Sequence, residues 1–281
     1  MAQKTRGAVK DITTSTENLS KLIAWFLGNS VKVIIAFSGG VDSAVLAFAA
    51  KNALGKNALC ITANYKTLSE EELLTARKVA AEIGIDQKTI EYDELKKPEF
   101  VKNDELRCYH CRKELANRLV SEAHMLGVSL VVDGTNTDDL KEFRPGIKAL
   151  RESGVKSPFL ELGLDKSEIR SIAKQCNLSI HDRPSNACLA SRIPKGTEIT
   201  FERLKLVEKS EIIVKEIFDV KQVRVREHGE IARIEVGVQE LSKLFDVDKL
   251  SVMDRKLRDL GFKFVTIDVR GYRSGSLNIL Q

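Results

Sequence analysis

Six consecutive residues, Ser38-Gly39-Gly40-Val41-Asp42-Ser43, place two glycines, a carboxylate and two hydroxyls directly after the apolar run Val31 to Phe37. Glycines at a strand end let the backbone turn sharply and let a ligand approach the main chain, while Asp42 and Ser43 open an apolar helix. Amides at the start of such a helix point outward without intrahelical partners and carry partial positive charge, so the pattern predicts a site for phosphate or pyrophosphate. A Walker loop requires Gly, four residues and Gly-Lys-Ser/Thr, and a dinucleotide fingerprint requires G-x-G-x-x-G; neither string occurs. An ordinary strand-turn-helix would leave Asp42 and Ser43 without a reason to follow the glycines.

The second source of chemistry is sulfur. Five cysteines, an odd number, argue against a disulfide framework and toward metal-binding or catalytic thiols. Cys60, inside an apolar strand run, and Cys176, near a helix end, suit buried apolar positions. Cys188 does not: it stands in His181 to Pro194, an irregular stretch with two prolines, and Arg183 and Arg192 flank it. Nearby cations lower a thiol's pKa, which makes Cys188 the candidate nucleophile. Cys108 and Cys111 form a C-x-x-C on a predicted helix, where positions i and i+3 share a face and can converge on one metal. A four-ligand zinc site would want a second close pair, a redox dithiol would want thioredoxin-like surroundings, and two incidental thiols are the third alternative. Arg224 and Arg226 alternate on a predicted strand and so share a side, either as a fork for a phosphate or as a solvated strand face.

The elements that must position these groups follow from periodicity. Predicted strands at Val31–Phe37, Ala58–Tyr65, Lys88–Tyr92 and Val128–Asp133 alternate with predicted helices at 17–28, after Asp42, at Glu70–Ile83 and at Glu105–Leu126. That alternation gives an α/β fold with a doubly wound, mostly parallel sheet, whose ligands sit at the strand carboxyl ends. Asp133-Gly134-Thr135-Asn136-Thr137-Asp138-Asp139 therefore faces the same crevice as Ser38–Ser43. Pro158–Leu164 reads as a short strand or extended piece, followed by a helix from Glu168 to Cys176. Beyond about residue 196 the pattern becomes a small α+β domain: a helix at Phe201–Ile217, strands near Val223 and Ile234 joined through Gly229, a helix through Leu257 and a strand at Phe264–Val269. The expected division is 1–195 and 196–281, the smaller part supplying substrate-binding side chains and an oligomer contact. With 43% hydrophobic residues the chain has ample core, and 45 basic against 40 acidic residues leave +5, suited to small anionic substrates rather than a nucleic-acid stripe. No apolar segment has the length of a signal peptide core or a membrane span, so a cytoplasmic protein is expected.

Ser38-Gly39-Gly40-Val41-Asp42-Ser43 resembles the PP-loop of ATP pyrophosphatases, which split ATP between the α and β phosphates to adenylate a substrate. With GTNTDD, SPFLELGLDKSEIR, PSNACLASRIPKGTEIT and the final GYRSGSLN, the chain resembles the LarE-type sulfur transferases over nearly its whole length. The resemblance implies an adenine-nucleotide α-hydrolase-like domain, ATP and Mg²⁺. It implies cofactor and substrate contacts from Ser38, Gly39, Gly40, Asp42, Ser43, Gly134, Asn136, Asp138, Arg192, Arg224 and Arg226, with Cys188 as the catalytic thiol. It further implies a nicotinate-derived mononucleotide as substrate, with Arg224 and Arg226 on its phosphate, and a homo-oligomer. Cluster-dependent PP-loop thiolases of transfer RNA combine a C-x-x-C with one distant cysteine, so Cys108, Cys111 and Cys188 are expected to hold a [4Fe–4S] cluster, with a sacrificial Cys188 that loses its own sulfur as the other route. A transfer-RNA thiolase, an ammonia-using PP-loop ligase and a non-catalytic nucleotide sensor stay open as alternatives.

Overall fold

The computed structural model describes residues 2–141, 145–184 and 187–273, with side chains from residue 14 onward. These residues fall into two compact units, one within 1–94 and 108–186, the other within 95–107 and 187–281.

In the first unit the order is α1 (Ala2–Asn29), β1 (Val33–Ala36), α2 (Val41–Leu54), β2 (Ala58–Asn64), α3 (Glu70–Ile83) and β3 (Asp86–Glu91). A short α4 (Pro98–Val101) belongs to the second unit, and the first resumes with α5 (Arg107–Met125), whose first residue is still counted with the second unit. It ends with β4 (Leu130–Val132), α6 (Pro145–Glu152), α7 (Pro158–Glu161) and α8 (Lys166–Gln175). The sheet is parallel throughout, in the order β3-β2-β1-β4. Period-two alternation divides its side chains between two cores. Val33, Ile35, Cys60 and Val132 pack with α1, α2, α3 and α8 through Phe26, Val45, Val79 and Ile169. Ile34, Ile61, Ala63 and Val131 pack on the other face with Leu115, Leu119 and Leu150 of α5 and α6. Covered on both faces, the sheet is doubly wound, as the alternation of elements predicts.

Two local features depart from the sequence expectations. Pro158–Leu164 is not a strand: Pro158 occupies the first position of α7, where its missing N–H costs nothing, and Leu162 N donates to Pro158 O at 3.0 Å. Helix α6 was not anticipated; its buried face, Gly146, Ala149 and Leu150, is too short and too small to announce itself in the sequence.

In the second unit α9 (Phe201–Phe218) precedes the hairpin β5 (Val223–His228) and β6 (Ile231–Val236), then α10 (Val247–Asp259) and β7 (Phe264–Ile267). The strand order is β5-β6-β7, with the first pair antiparallel and the second parallel. Val223, Val225, Ala232, Ile234 and Val236 form one face of this sheet and pack on Val214, Phe218, Met253 and Leu257 of α9 and α10. The opposite face carries Arg224, Arg226, Arg233 and Glu235, with Arg224 paired to Glu235 and Arg226 to Arg233 across the hairpin. Segment 95–107 is stitched into this unit by Asn103, fully buried, whose Nδ2 donates to Pro194 O and Thr197 O, both at 2.8 Å. Among the described residues no helix is long and apolar enough to cross a membrane.

Candidate active site

The loop after β1 is ordered by its own side chains. Ser38 N donates to Ser43 Oγ at 3.3 Å, Gly40 N to Ser38 Oγ at 3.3 Å, and Ser43 Oγ to Gly40 O at 3.1 Å. Gly39 has φ +73°, and a Cβ there would stand 2.5 Å from Ala76 Cα, so no other residue fits this turn against α3. No side chain caps α2 at Gly40. A helix start without a side-chain cap, built on a loop whose hydroxyls are already ordered, is an arrangement suited to an anion.

The loop after β4 closes against it. Gly134 makes this approach possible, because a Cβ there would lie 3.0 Å from Asp42 Cβ and 3.2 Å from Ser43 N. Asn136 Nδ2 donates to Asp42 Oδ1 at 3.4 Å, and Lys166 Nζ donates to the other carboxylate oxygen. Lys166 also donates its backbone N–H to Asp138 Oδ2 at 3.0 Å, so the first residue of α8 ties Asp138 to Asp42. Burial pushes the Asp42 carboxyl above its ordinary value, and Lys166 opposes that shift. The other acids build the loop itself. Asp133 is buried, accepts from Ser157 Oγ at 2.5 Å and from Thr135 Oγ1, and is pushed up by burial. Asp139 accepts from Asn136 N at 3.0 Å. The structure thus brings Ser38, Gly39, Gly40, Asp42, Ser43, Gly134, Asn136 and Asp138 together. It adds Lys166, which sequence reasoning missed although it lies within SPFLELGLDKSEIR.

Cys108 and Cys111 occupy the first turns of α5, the former exposed and the latter half-buried. Cys111 lies within electrostatic range of Tyr92, which stacks on Tyr65 with ring centroids 5.5 Å apart just beyond the carboxyl ends of β3 and β2. Among the described residues no three His, Cys, Asp or Glu side chains gather as a ready set of metal ligands. Arg183, expected to act on the thiol, bonds instead to α3, with Nη2 2.5 Å from Glu72 Oε1 and 3.3 Å from Glu71 Oε1.

Cys188 is in the second unit, half-buried, at the start of a short 3₁₀ turn over Leu189–Arg192. Arg192 is completely buried, and its guanidinium points into its own loop. Nε and Nη2 donate to Glu211 at 2.7 and 3.0 Å, and Nη1 donates to Ala187 O at 2.5 Å, Cys188 O at 3.0 Å and Ser191 Oγ at 3.0 Å. Arg226, also buried, donates to Glu235 Oε2 at 2.8 and 3.1 Å and to Ser191 O at 2.8 Å. Arg224 donates to Val223 O at 2.6 Å and lies 5.1 Å from the centre of the Tyr272 ring; burial, then the charge of Arg192, pulls its pKa down to about 10. Glu211 was also missed by sequence reasoning. Its signal is a charge within the apolar stripe Leu204, Val207, Glu211, Val214 and Phe218 of α9, a position that demands a buried partner. Ser185 and Asn186 of the cysteine loop, and residues 274–278 of GYRSGSLN, lie outside the described residues.

A parallel doubly wound sheet with a glycine-serine anion loop at one strand end and an acidic loop at its neighbour defines the PP-loop class of ATP-using folds. Residues 32–107 match the family described as queuosine biosynthesis protein QueC. Over longer spans the chain is 39% identical to an uncharacterised protein of Synechocystis, covering 95% of this chain and 98% of that one. It is 31% identical to the pyridinium-3,5-bisthiocarboxylic acid mononucleotide synthase of Lactiplantibacillus plantarum, covering 88% and 89%. It is 35% identical to an uncharacterised protein of Methanocaldococcus jannaschii, covering 86% and 91%. The chain belongs to the LarE-type family of PP-loop sulfur transferases, and is an ATP-dependent sulfurtransferase.

Proposed function

We propose that the protein adenylates a carboxylate of pyridinium-3,5-biscarboxylic acid mononucleotide and converts it to a thiocarboxylate in nickel-pincer nucleotide synthesis. The observation that carries this is similarity along almost the whole chain to the Lactiplantibacillus synthase, together with an uncapped helix start facing Asp42, Asn136 and Lys166. The substrate carboxylate oxygen attacks the α-phosphorus of ATP, pyrophosphate leaves, and a sulfur nucleophile then displaces AMP from the acyl carbon. In this reading residues 1–195 bind ATP and 196–281 bind substrate and oligomerise. Ser38, Gly39, Gly40 and Ser43 receive the departing pyrophosphate, since backbone amides at a helix start stabilise the charge that develops there. Asp42 and Asp138 supply carboxylates for Mg²⁺, and Gly134 and Asn136 line the nucleotide side. Arg224 and Arg226 serve the mononucleotide phosphate through charge-assisted hydrogen bonds.

Sulfur is delivered at Cys188, either given up by that thiol itself or supplied from a cluster that the thiol helps to hold. Two thiols on one face of α5 fit two corners of a cluster, so Cys108, Cys111 and Cys188 are the proposed ligands of a [4Fe–4S] cluster, which when bound supplies an iron position for exogenous sulfide. The test compares anaerobically reconstituted Cys108→Ala, Cys111→Ala and Cys188→Ala and weighs the used wild-type chain. The cluster reading expects all three variants to be inactive and the chain mass to be unchanged. A loss of about 34 Da, with Cys108→Ala and Cys111→Ala still active, would instead establish that Cys188 gives up its own sulfur.

A further inference from the structure

Four carbonyl oxygens around Cys188 are held by three arginines. Arg107 Nη1 donates to Ala190 O at 2.9 Å, Arg192 Nη1 to Ala187 O and Cys188 O, and Arg226 Nη1 to Ser191 O. Arg192 grips the carbonyl of the cysteine itself and is closed off from solvent completely. Its other edge makes a two-pronged ion pair with Glu211, and Glu211 Oε1 accepts a further bond from Val225 N at 3.1 Å. Helix α9, strand β5 and the backbone on either side of the thiol are therefore joined through one guanidinium.

We propose that Arg192, with Glu211 as its counter-ion, is the positioning residue of Cys188, and not a ligand of ATP or substrate. The planar fork spans a carboxylate on one edge and main-chain carbonyls on the other, which a lysine cannot reproduce although it keeps the charge. Bonded to Glu211, Ala187 O and Cys188 O, the group fixes where the cysteine backbone lies, and reaction at a displaced thiol slows steeply: a shift of about 1 Å can cost about a hundredfold in rate. The inference rests on the sulfur-transfer reading only in taking Cys188 as the working thiol.

The test is iodoacetamide labelling of the full chain under argon, read residue by residue by mass spectrometry, in wild type, Arg192→Lys and Glu211→Gln. Cys176 in the same chain is the internal reference, and circular dichroism melting is recorded alongside. Positioning predicts that labelling of Cys188 relative to Cys176 rises by about tenfold or more in both variants while each still melts cooperatively, because local opening exposes the loop. It also predicts that sulfur transfer falls by about a hundredfold while ATP-dependent pyrophosphate release stays within about threefold of wild type. Unchanged Cys188 labelling in both folded variants overturns the proposal. Collapse of the circular dichroism spectrum in both overturns it too, since the pair then serves the stability of the unit alone. Labelling needs no substrate, so failure of this proposal and failure of the sulfur-transfer reading give different results.

Discussion

The loop Ser38–Ser43 and the loop Ala187–Arg192 are built on opposite plans. In the first, short side chains order the backbone among themselves and leave the amides of a helix start without a side-chain cap. In the second, charged side chains reach in from α5, β5 and the loop itself to hold carbonyl oxygens, and those from β5 and the loop are buried. The difference follows from what each must do. A transient anion is met best by preorganised donors that remain available, whereas a reactive side chain is kept in place by donors that are already occupied. It also predicts where each loop is vulnerable, to the shape of the backbone in the first and to buried charge in the second.

The largest effect is therefore expected in the second loop. Glu211→Ala leaves Arg192 buried without its carboxylate and should cost about 3–5 kcal/mol, measured by denaturant unfolding; a loss below about 1 kcal/mol would show the pair to be dispensable. Next comes shape. Gly39→Ala puts a side chain at φ +73°, 2.5 Å from Ala76 Cα, and should cost about 1–3 kcal/mol from strain alone. Gly134→Ala meets Asp42 Cβ at 3.0 Å and should separate the two loops, weakening ATP binding by about tenfold with less change in melting. Calorimetric titration of ATP into Gly134→Ala checks this, and wild-type affinity would mean that the loops need not touch.

The partly exposed pair of Lys166 and Asp42 in the first unit should matter less to stability. Lys166 and Asp42 retain 27% and 26% of their side-chain exposure, so Lys166→Met should cost only about 1 kcal/mol in unfolding experiments, against several for Glu211→Ala. The smallest effect is a pH dependence. Burial raises the Asp133 carboxyl in the folded chain, so the stability linked to its proton is fully present below the ordinary carboxylate value and is lost as pH rises through the raised one. Asp133→Asn should flatten the decline in melting temperature that wild type shows as pH rises above the ordinary carboxylate value of about 4. Parallel slopes for the two proteins would remove Asp133 from the account.

The two regions also differed in how far they could be read from sequence. Backbone-built features leave direct traces, because Gly39, Gly40 and Gly134 are required at fixed points and β-branched runs mark the strands; the anion loop and its facing loop were legible for that reason. Side-chain networks leave weaker ones. The sequence places Arg183 and Arg192 five and four residues from Cys188, but not that the first would turn to Glu72 and the second inward to Glu211. Distance along the chain says little about the direction of a long side chain, and the partner of Arg192 is nineteen residues away on α9. Lys166 was hidden differently, since a lysine at the start of a helix ordinarily reads as solvent-facing, and only the close approach of α8 to Asp42 gives it a task.

The most direct measurement of the central claim is pyrophosphate release from ATP by the wild-type chain and by Asp42→Asn, with and without the biscarboxylic mononucleotide. Release should depend on the mononucleotide in wild type and fall by about a hundredfold or more in Asp42→Asn, with the fold intact by circular dichroism. Release that ignores the mononucleotide, or that proceeds at the wild-type rate in Asp42→Asn, would contradict adenylation at this loop.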